Sequence, residues 1–142
     1  MIGTVDLVIA GNRSAARAPA ISALERGQRV LVVLRSADAR AARRFRRSLL
    51  DTAGADGGQL RVMTSAEVVC VDGIKGVEAV VVRHAPTGRL SAVNASAFFS
   101  CDGQKTSTNA KHISSQVADF ISLTGVARRT GRFRNWLIRE AA

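Results

Sequence analysis

Apolar and polar residues alternate along this chain in blocks rather than evenly. Val5 to Ile9 is a short, mainly β-branched and aliphatic run and predicts a buried strand. Ala10, Gly11, Asn12, Arg13 and Ser14 follow as a tight turn. Ala15 to Arg26 is Ala-rich and predicts a helix with Ser14 as its N-cap, directing Ile21 and Leu24 at the sheet. Pro19 lies about one turn inside that helix and is expected to kink it or delay its start. Gly27 suits a helix stop. Arg29 to Leu34 is continuously apolar after its first residue, the signature of a parallel strand covered on both faces. Strand, turn, helix and strand make one βαβ unit, a crossover that is nearly always right-handed.

Ala37 to Leu50 predicts a second helix rich in arginine, and residues 53–58 (AGADGG) predict a loop. Leu60 to Met63 is a candidate third parallel strand. The pattern then changes. Glu67 to Val71, Val77 to His84 and Arg89 to Val93 read as antiparallel strands, with Asp72-Gly73 and Pro86-Thr87-Gly88 as turns. Ala97 to Cys101 reads as a separate short strand ending at Asp102-Gly103. From Lys111 onward Ile113, Val117, Phe120 and Ile121 share one helical face, which Gly125 and Gly131 interrupt. The expected architecture is α/β: a three-layer Rossmann-like parallel sheet with an antiparallel β-meander and a C-terminal helical tail. Residues 1–110 form the dinucleotide-binding type of domain in this reading, and 111–142 a basic helical segment.

Composition narrows the picture. The 142 residues suffice for one domain, and 46% are hydrophobic, too many for a disordered tail. Aromatics are only 4%, so the core must be aliphatic. Cys70 and Cys101 lie in apolar runs with no C-x-x-C or zinc spacing, which reads as free thiols in a reducing compartment. No basic leader and no apolar run of membrane-spanning length is visible, so a cytoplasmic location without membrane contact is expected. The net charge of +10 attracts polyanions. The arginines from Arg40 to Arg47 and those of the tail are the segments that would do so. No nucleic-acid motif accompanies them, and aromatics for base stacking are scarce, so nucleic acid is not the expected partner.

The chemistry concentrates in the first turn. A dinucleotide site needs a strand, a tight turn and a helix whose first amides face a pyrophosphate, with small residues that let the phosphates approach. The residues at the six positions of G-x-G-x-x-G/A are Ala10, Gly11, Asn12, Arg13, Ser14 and Ala15. Ala stands for the first glycine and Asn for the second, and Ala15 keeps the small closing residue. An acid normally ends the second strand of NAD and FAD sites, whereas a 2′-phosphate prefers arginine. This strand ends Leu34-Arg35-Ser36, so Arg35 and Arg40 are candidate phosphate ligands and Ser36 a candidate donor. A solvated basic helix face is the competing reading. His84 and His112 have no spaced partner for a metal or a catalytic triad. No metal site or catalytic residue is assigned.

These residues resemble the pyridine-nucleotide domain of thioredoxin-reductase-like flavoprotein disulfide reductases over roughly the first 108 residues. LVIAGNRSA is similar to the family's strand and G-x-G-x-x-A turn. LRSADAR resembles its H-R-R-x-x-x-R, matched at Arg35 and Arg40 and departing at Leu34 and Ser36. Residues 77–101 resemble its hairpin and following apolar strand, and GQKTST its G-x-x-P-N-T, identical at Gly103 and Thr108. Arg17 stands where the family often has Glu, and the flanking flavin domains and redox C-x-x-C are absent from this sequence. The resemblance implies a dinucleotide-binding oxidoreductase component, NADP(H) preferred, with Gly103 added to the cofactor contacts. Hydride transfer then requires a partner flavoprotein. NAD or FAD are the alternatives, since FAD domains of the succinate-dehydrogenase group begin similarly. A non-catalytic partner-binding domain is another. Phe133, Trp136 and Leu137 in the tail are candidates for a homo-dimer or partner contact.

Overall fold

A computed structural model describes residues 3–72 and 77–100. Residues 1–2, 73–76 and 101–142 lie outside the described residues, and with them the expected C-terminal helix, Cys101, Gly103, His112 and the tail aromatics. The elements are β1 (Gly3–Gly11), α1 (Arg13–Glu25), β2 (Val30–Leu34), α2 (Ala39–Ala53), a 3₁₀ turn (Gly57–Gln59), β3 (Leu60–Met63), β4 (Ala66–Asp72), β5 (Ala79–His84) and β6 (Leu90–Ser100). They build one six-stranded sheet in the order β3-β2-β1-β6-β5-β4. β3, β2, β1 and β6 run parallel, and β5 and β4 continue antiparallel. This is the α/β, Rossmann-like arrangement with a meander that the hydrophobic pattern predicts.

β2 explains the layering. All five of its residues are buried. Successive side chains of a strand point to opposite faces. Val30, Val32 and Leu34 pack with Ala16, Ala20, Ala23, Leu24, Phe45 and Leu49 of the two helices. Leu31 and Val33 pack instead with Ala66, Val68, Val80 and Val82 of the meander, and with Val93 and Ala95 of β6. The parallel strands are therefore covered by helices on one face and by the meander on the other. Ser65, at φ +51°, makes the sharp turn that carries the chain from β3 onto that second face. Its amide donates to Ser36 O at 2.9 Å, and its carbonyl accepts from Ala85 N at 2.7 Å.

Several boundaries differ from the sequence expectation. The helix cap is Asn12, not Ser14: Asn12 Oδ1 accepts from Ala15 N at 2.8 Å, so α1 opens at Arg13. Pro19 does not delay the helix, which is already a turn old there and runs on to Glu25. Proline deletes a single amide bond, and the buried alanine face outweighs that loss. Gly27 (φ +77°) and Gly54 (φ +64°) adopt the left-handed conformation that ends each helix. α2 begins at Ala39 because Asp38 caps it through Ala41 N at 2.9 Å. The two strands expected over 89–93 and 97–101 are one strand, β6. Its first part pairs with β5 and its remainder with β1, so no turn separates them.

Leu49 is wholly buried between α2 and the sheet. Leu49→Ala should lower unfolding stability by about 3 kcal/mol through lost burial and a residual cavity. A urea titration should show this as a lower midpoint at unchanged slope. Cys70 is also wholly buried, and desolvation, then the charge of Asp72, pushes its thiol pKa up. In a Cys101→Ser background it should resist a thiol reagent at pH 8 until the chain unfolds. The unfolded thiol ionises first as pH rises, so this group's contribution to stability falls above about pH 8.5. Cys70→Val should remove that part of the alkaline loss, read as the melting temperature between pH 7 and 10.

Candidate functional site

Strand order reverses at β1. The chain steps from β1 to β2 and β3 on one side, and β6 returns on the other. Ligands of open α/β sheets bind outside the carboxyl ends of the strands at such a point. A crevice of about 660 Å³ lies there, bounded by the β1–α1 turn from Gly11 to Ala15 and by Leu34, Arg35 and Ser36 at the end of β2. Two segments that sequence reasoning selected separately thus share one cavity.

Each residue of the turn has a physical role. Ala10 is buried in the core beneath the crevice and lends it no surface. Gly11 ends β1, and Asn12 caps α1 from the position of the motif's second glycine. Its side chain takes the Ala15 amide. The amides of Arg13 and Ser14, the first two helical residues, have no intrahelical acceptor and carry the positive end of the helix dipole. Among the described residues Arg13 Nη1 is buried without a hydrogen-bond partner, which adds positive character to the crevice wall. Ser14 and Ala15 complete that wall. No acidic residue lies in the first turn of α1.

At the far side Arg35 is exposed, and its guanidinium lies 3.6 Å from Glu67 Oε2 on β4. Glu67 Oε1 accepts from Arg83 Nη2 of β5. Ser36 Oγ accepts from Asp38 N at 3.1 Å, so its hydroxyl helps to open α2 as well as lining the crevice. Arg40 is exposed on the first turn of α2 and is not among the crevice residues. Glu67 is the residue that sequence reasoning missed. Sequence shows only a carboxylate near the start of β4 and an arginine near the end of β5; their approach to Arg35 comes from the fold.

The remaining candidates have structural partners. Arg17 turns from the crevice towards α2, where it donates to Ser48 Oγ at 2.8 Å and Thr52 Oγ1 at 3.2 Å. It ties the two helices together. His84 Nδ1 lies 3.0 Å from Thr87 Oγ1 in the β5–β6 turn. Among the described residues no group of three or more His, Cys, Asp or Glu could hold a metal ion, and no helix is long and apolar enough to cross a membrane.

No protein-family model and no curated protein sequence matches this chain. Solved structures do. Thioredoxin reductase from Streptococcus pyogenes aligns with 72% of this chain and 32% of its own at 23% identity, with a TM-score of 0.54. Thioredoxin reductase from T. acidophilum aligns with 72% of this chain and 33% of its own at 17% identity, with a TM-score of 0.55. A myxobacterial chondrochloren halogenase, a variant of the FAD-dependent halogenases, aligns with 74% of this chain and 38% of its own at 16% identity, with a TM-score of 0.54. The chain thus spans about a third of the length of these proteins. It shares their Rossmann-type fold, and the resemblance seen in the sequence holds at the level of fold.

Because Asn12 supplies the cap, Asn12→Ala should destabilise the protein by about 1 kcal/mol, and Asn12→Gly by only a few tenths. Ser14→Ala should leave the helix cap intact. Parallel denaturant titrations of the three variants read the difference, and equal losses at Asn12 and Ser14 would contradict the assignment.

Proposed function

We propose that this chain is a dinucleotide-binding module of the reductase type, with NADP(H) as its preferred ligand. The observation that carries the reading is the shared crevice: unpaired amides at the start of α1 on one side and Arg35 at the end of β2 on the other. The pyrophosphate would lie against the amides of Arg13 and Ser14, held by the helix dipole and the unpartnered Arg13 guanidinium nitrogen. Arg35 would receive the 2′-phosphate, with Ser36 beside it. Arg40 and Gly103 belong to this reading through the family resemblance alone.

A bound nicotinamide supplies a hydride. This chain's own residues bind and orient it. With Ala15 closing the turn, the backbone can come near the phosphates. The hydride would pass to a flavoprotein partner, since this chain aligns with only about a third of the thioredoxin reductases that share the fold. An FAD-holding role is the second reading, favoured by the FAD-dependent halogenase among the structures of like fold.

Calorimetric titration should show NADPH binding at micromolar to submillimolar concentration and NADH binding more weakly. Arg35→Ala should cost NADPH about 1.5–3 kcal/mol, the range of a charged hydrogen-bonded contact, and leave NADH nearly unchanged. Equal affinity for the two nucleotides in the wild-type protein would reject the NADP(H) preference. No heat with either at millimolar ligand would reject nicotinamide binding. Yellow protein on purification would favour FAD.

A further inference from the structure

We infer that Glu67 and Arg83 set how strongly the crevice prefers a 2′-phosphate, by controlling how much of the Arg35 charge is free to meet it. The inference rests on the dinucleotide reading of the crevice. Neither residue lines the crevice or belongs to the motif that marks it.

Arg35 borders two hollows. One is the crevice above α1, and the other is a cavity of about 180 Å³ formed with Ser65, Ala66, Glu67 and Ala85. The guanidinium therefore has two anionic positions within reach: a phosphate in the crevice, or the Glu67 carboxylate. In the structure it stands 3.6 Å from Glu67 Oε2, an ion pair beyond hydrogen-bond distance. The other carboxylate oxygen accepts from Arg83 Nη2.

The fold explains why the three charges meet. Ser65 clips the start of β4 to Ser36, just past the end of β2, and this brings Glu67 beside Arg35. Glu67 and Arg83 are direct cross-strand partners in the β4–β5 register. Such opposite-charge pairs hold without help from a third group. One carboxylate with two guanidiniums leaves one positive charge over. The side chains are 28% exposed at Glu67, 37% at Arg83 and 54% at Arg35, so the leftover charge resides on the most accessible member. Arg83 neutralises Glu67, and Arg35 keeps its donors for the crevice. An acid at the end of the second strand ordinarily rejects a 2′-phosphate. Here the acid arrives from β4 with its own counter-ion, and that rejection is lifted.

Arg83 and Glu67 are positioning residues in this scheme, with opposite effects. Arg83→Gln exposes the Glu67 charge to Arg35 and should weaken NADPH binding about three- to fivefold, as suits a partly exposed ion pair. NADH affinity should stay within about twofold, because no 2′-phosphate is involved. Glu67→Gln releases Arg35 and should tighten NADPH by a similar factor. The double variant should match Glu67→Gln within about twofold, since no carboxylate remains for Arg83 to neutralise. Arg83→Lys should restore most of the discrimination.

The experiment is a calorimetric titration of the full chain and each variant with NADPH and NADH, with melting temperatures measured alongside. A purely structural role for the pair would lower the melting temperature and change both affinities together. A constant NADPH-to-NADH ratio across variants that bind both would overturn this inference and leave the dinucleotide reading standing. Folded protein that binds neither nucleotide would overturn both. If Arg83→Gln does not fold, the nearly isosteric Glu67→Gln decides alone: an unchanged ratio refutes the proposal.

Discussion

The constraint on which everything here depends is that a parallel sheet must be covered on both faces. β2 has no solvent-facing side, and its five residues divide between the two cores. The helices cover one face because their crossovers return the chain there. The other face would be an open apolar surface without the meander, whose Val68, Val80 and Val82 close it. The sharp turn at Ser65 is where the chain commits to that closure. Fold and site are therefore one problem: the turn that completes the core also sets a carboxylate beside the crevice.

Charge in this protein is organised by proximity more than by number. A net +10 suggests a diffuse affinity for anything acidic. At the crevice the relevant charges are few and specifically held: a buried Arg13 nitrogen, an Arg35 in contact with Glu67, and two helix amides. Arg17 and Arg46 have structural work instead. Arg17 bridges the helices, and Arg46 donates to the carbonyls of Gly57 and Leu60 to hold the loop before β3. Asp6 accepts from the Arg29 amide at 2.8 Å and anchors the entry to β2.

The repeating αβ part was legible in the sequence because each of its signals is local. β-branched runs mark β1 and β2, and Gly27 marks the end of α1, whereas α2 runs three residues past the expected Leu50 to its cap at Gly54. The cap position is less legible, because Ser14 and Asn12 are both good cap residues two positions apart. Only the path of the strand decides which side chain reaches an amide three residues on. The continuity of β6 is hidden because Asn94 and Ser96 break its apolar pattern, whereas pairing with different neighbours on its two sides makes those positions tolerable. Crevice residues from the turn and from β2 were visible as a motif and its expected continuation. Glu67 was not, because its approach to Arg35 depends on a fold-over between elements 32 residues apart in sequence. No periodicity encodes that distance.

The alanine face of α1 has a consequence for how this chain tolerates change. Ala16, Ala20 and Ala23 are wholly buried, and the helix rests on the sheet through methyl groups. No slack exists there for a longer side chain. A valine or leucine at any of the three would lift the helix from its bed and swing its leading end, so drift at the back of the helix is felt at the front. Ala18 and Ser22 point to solvent and are free of that restriction. Sequence variation in this segment should therefore be lopsided, with one face almost frozen at the smallest side chains and the other open to replacement.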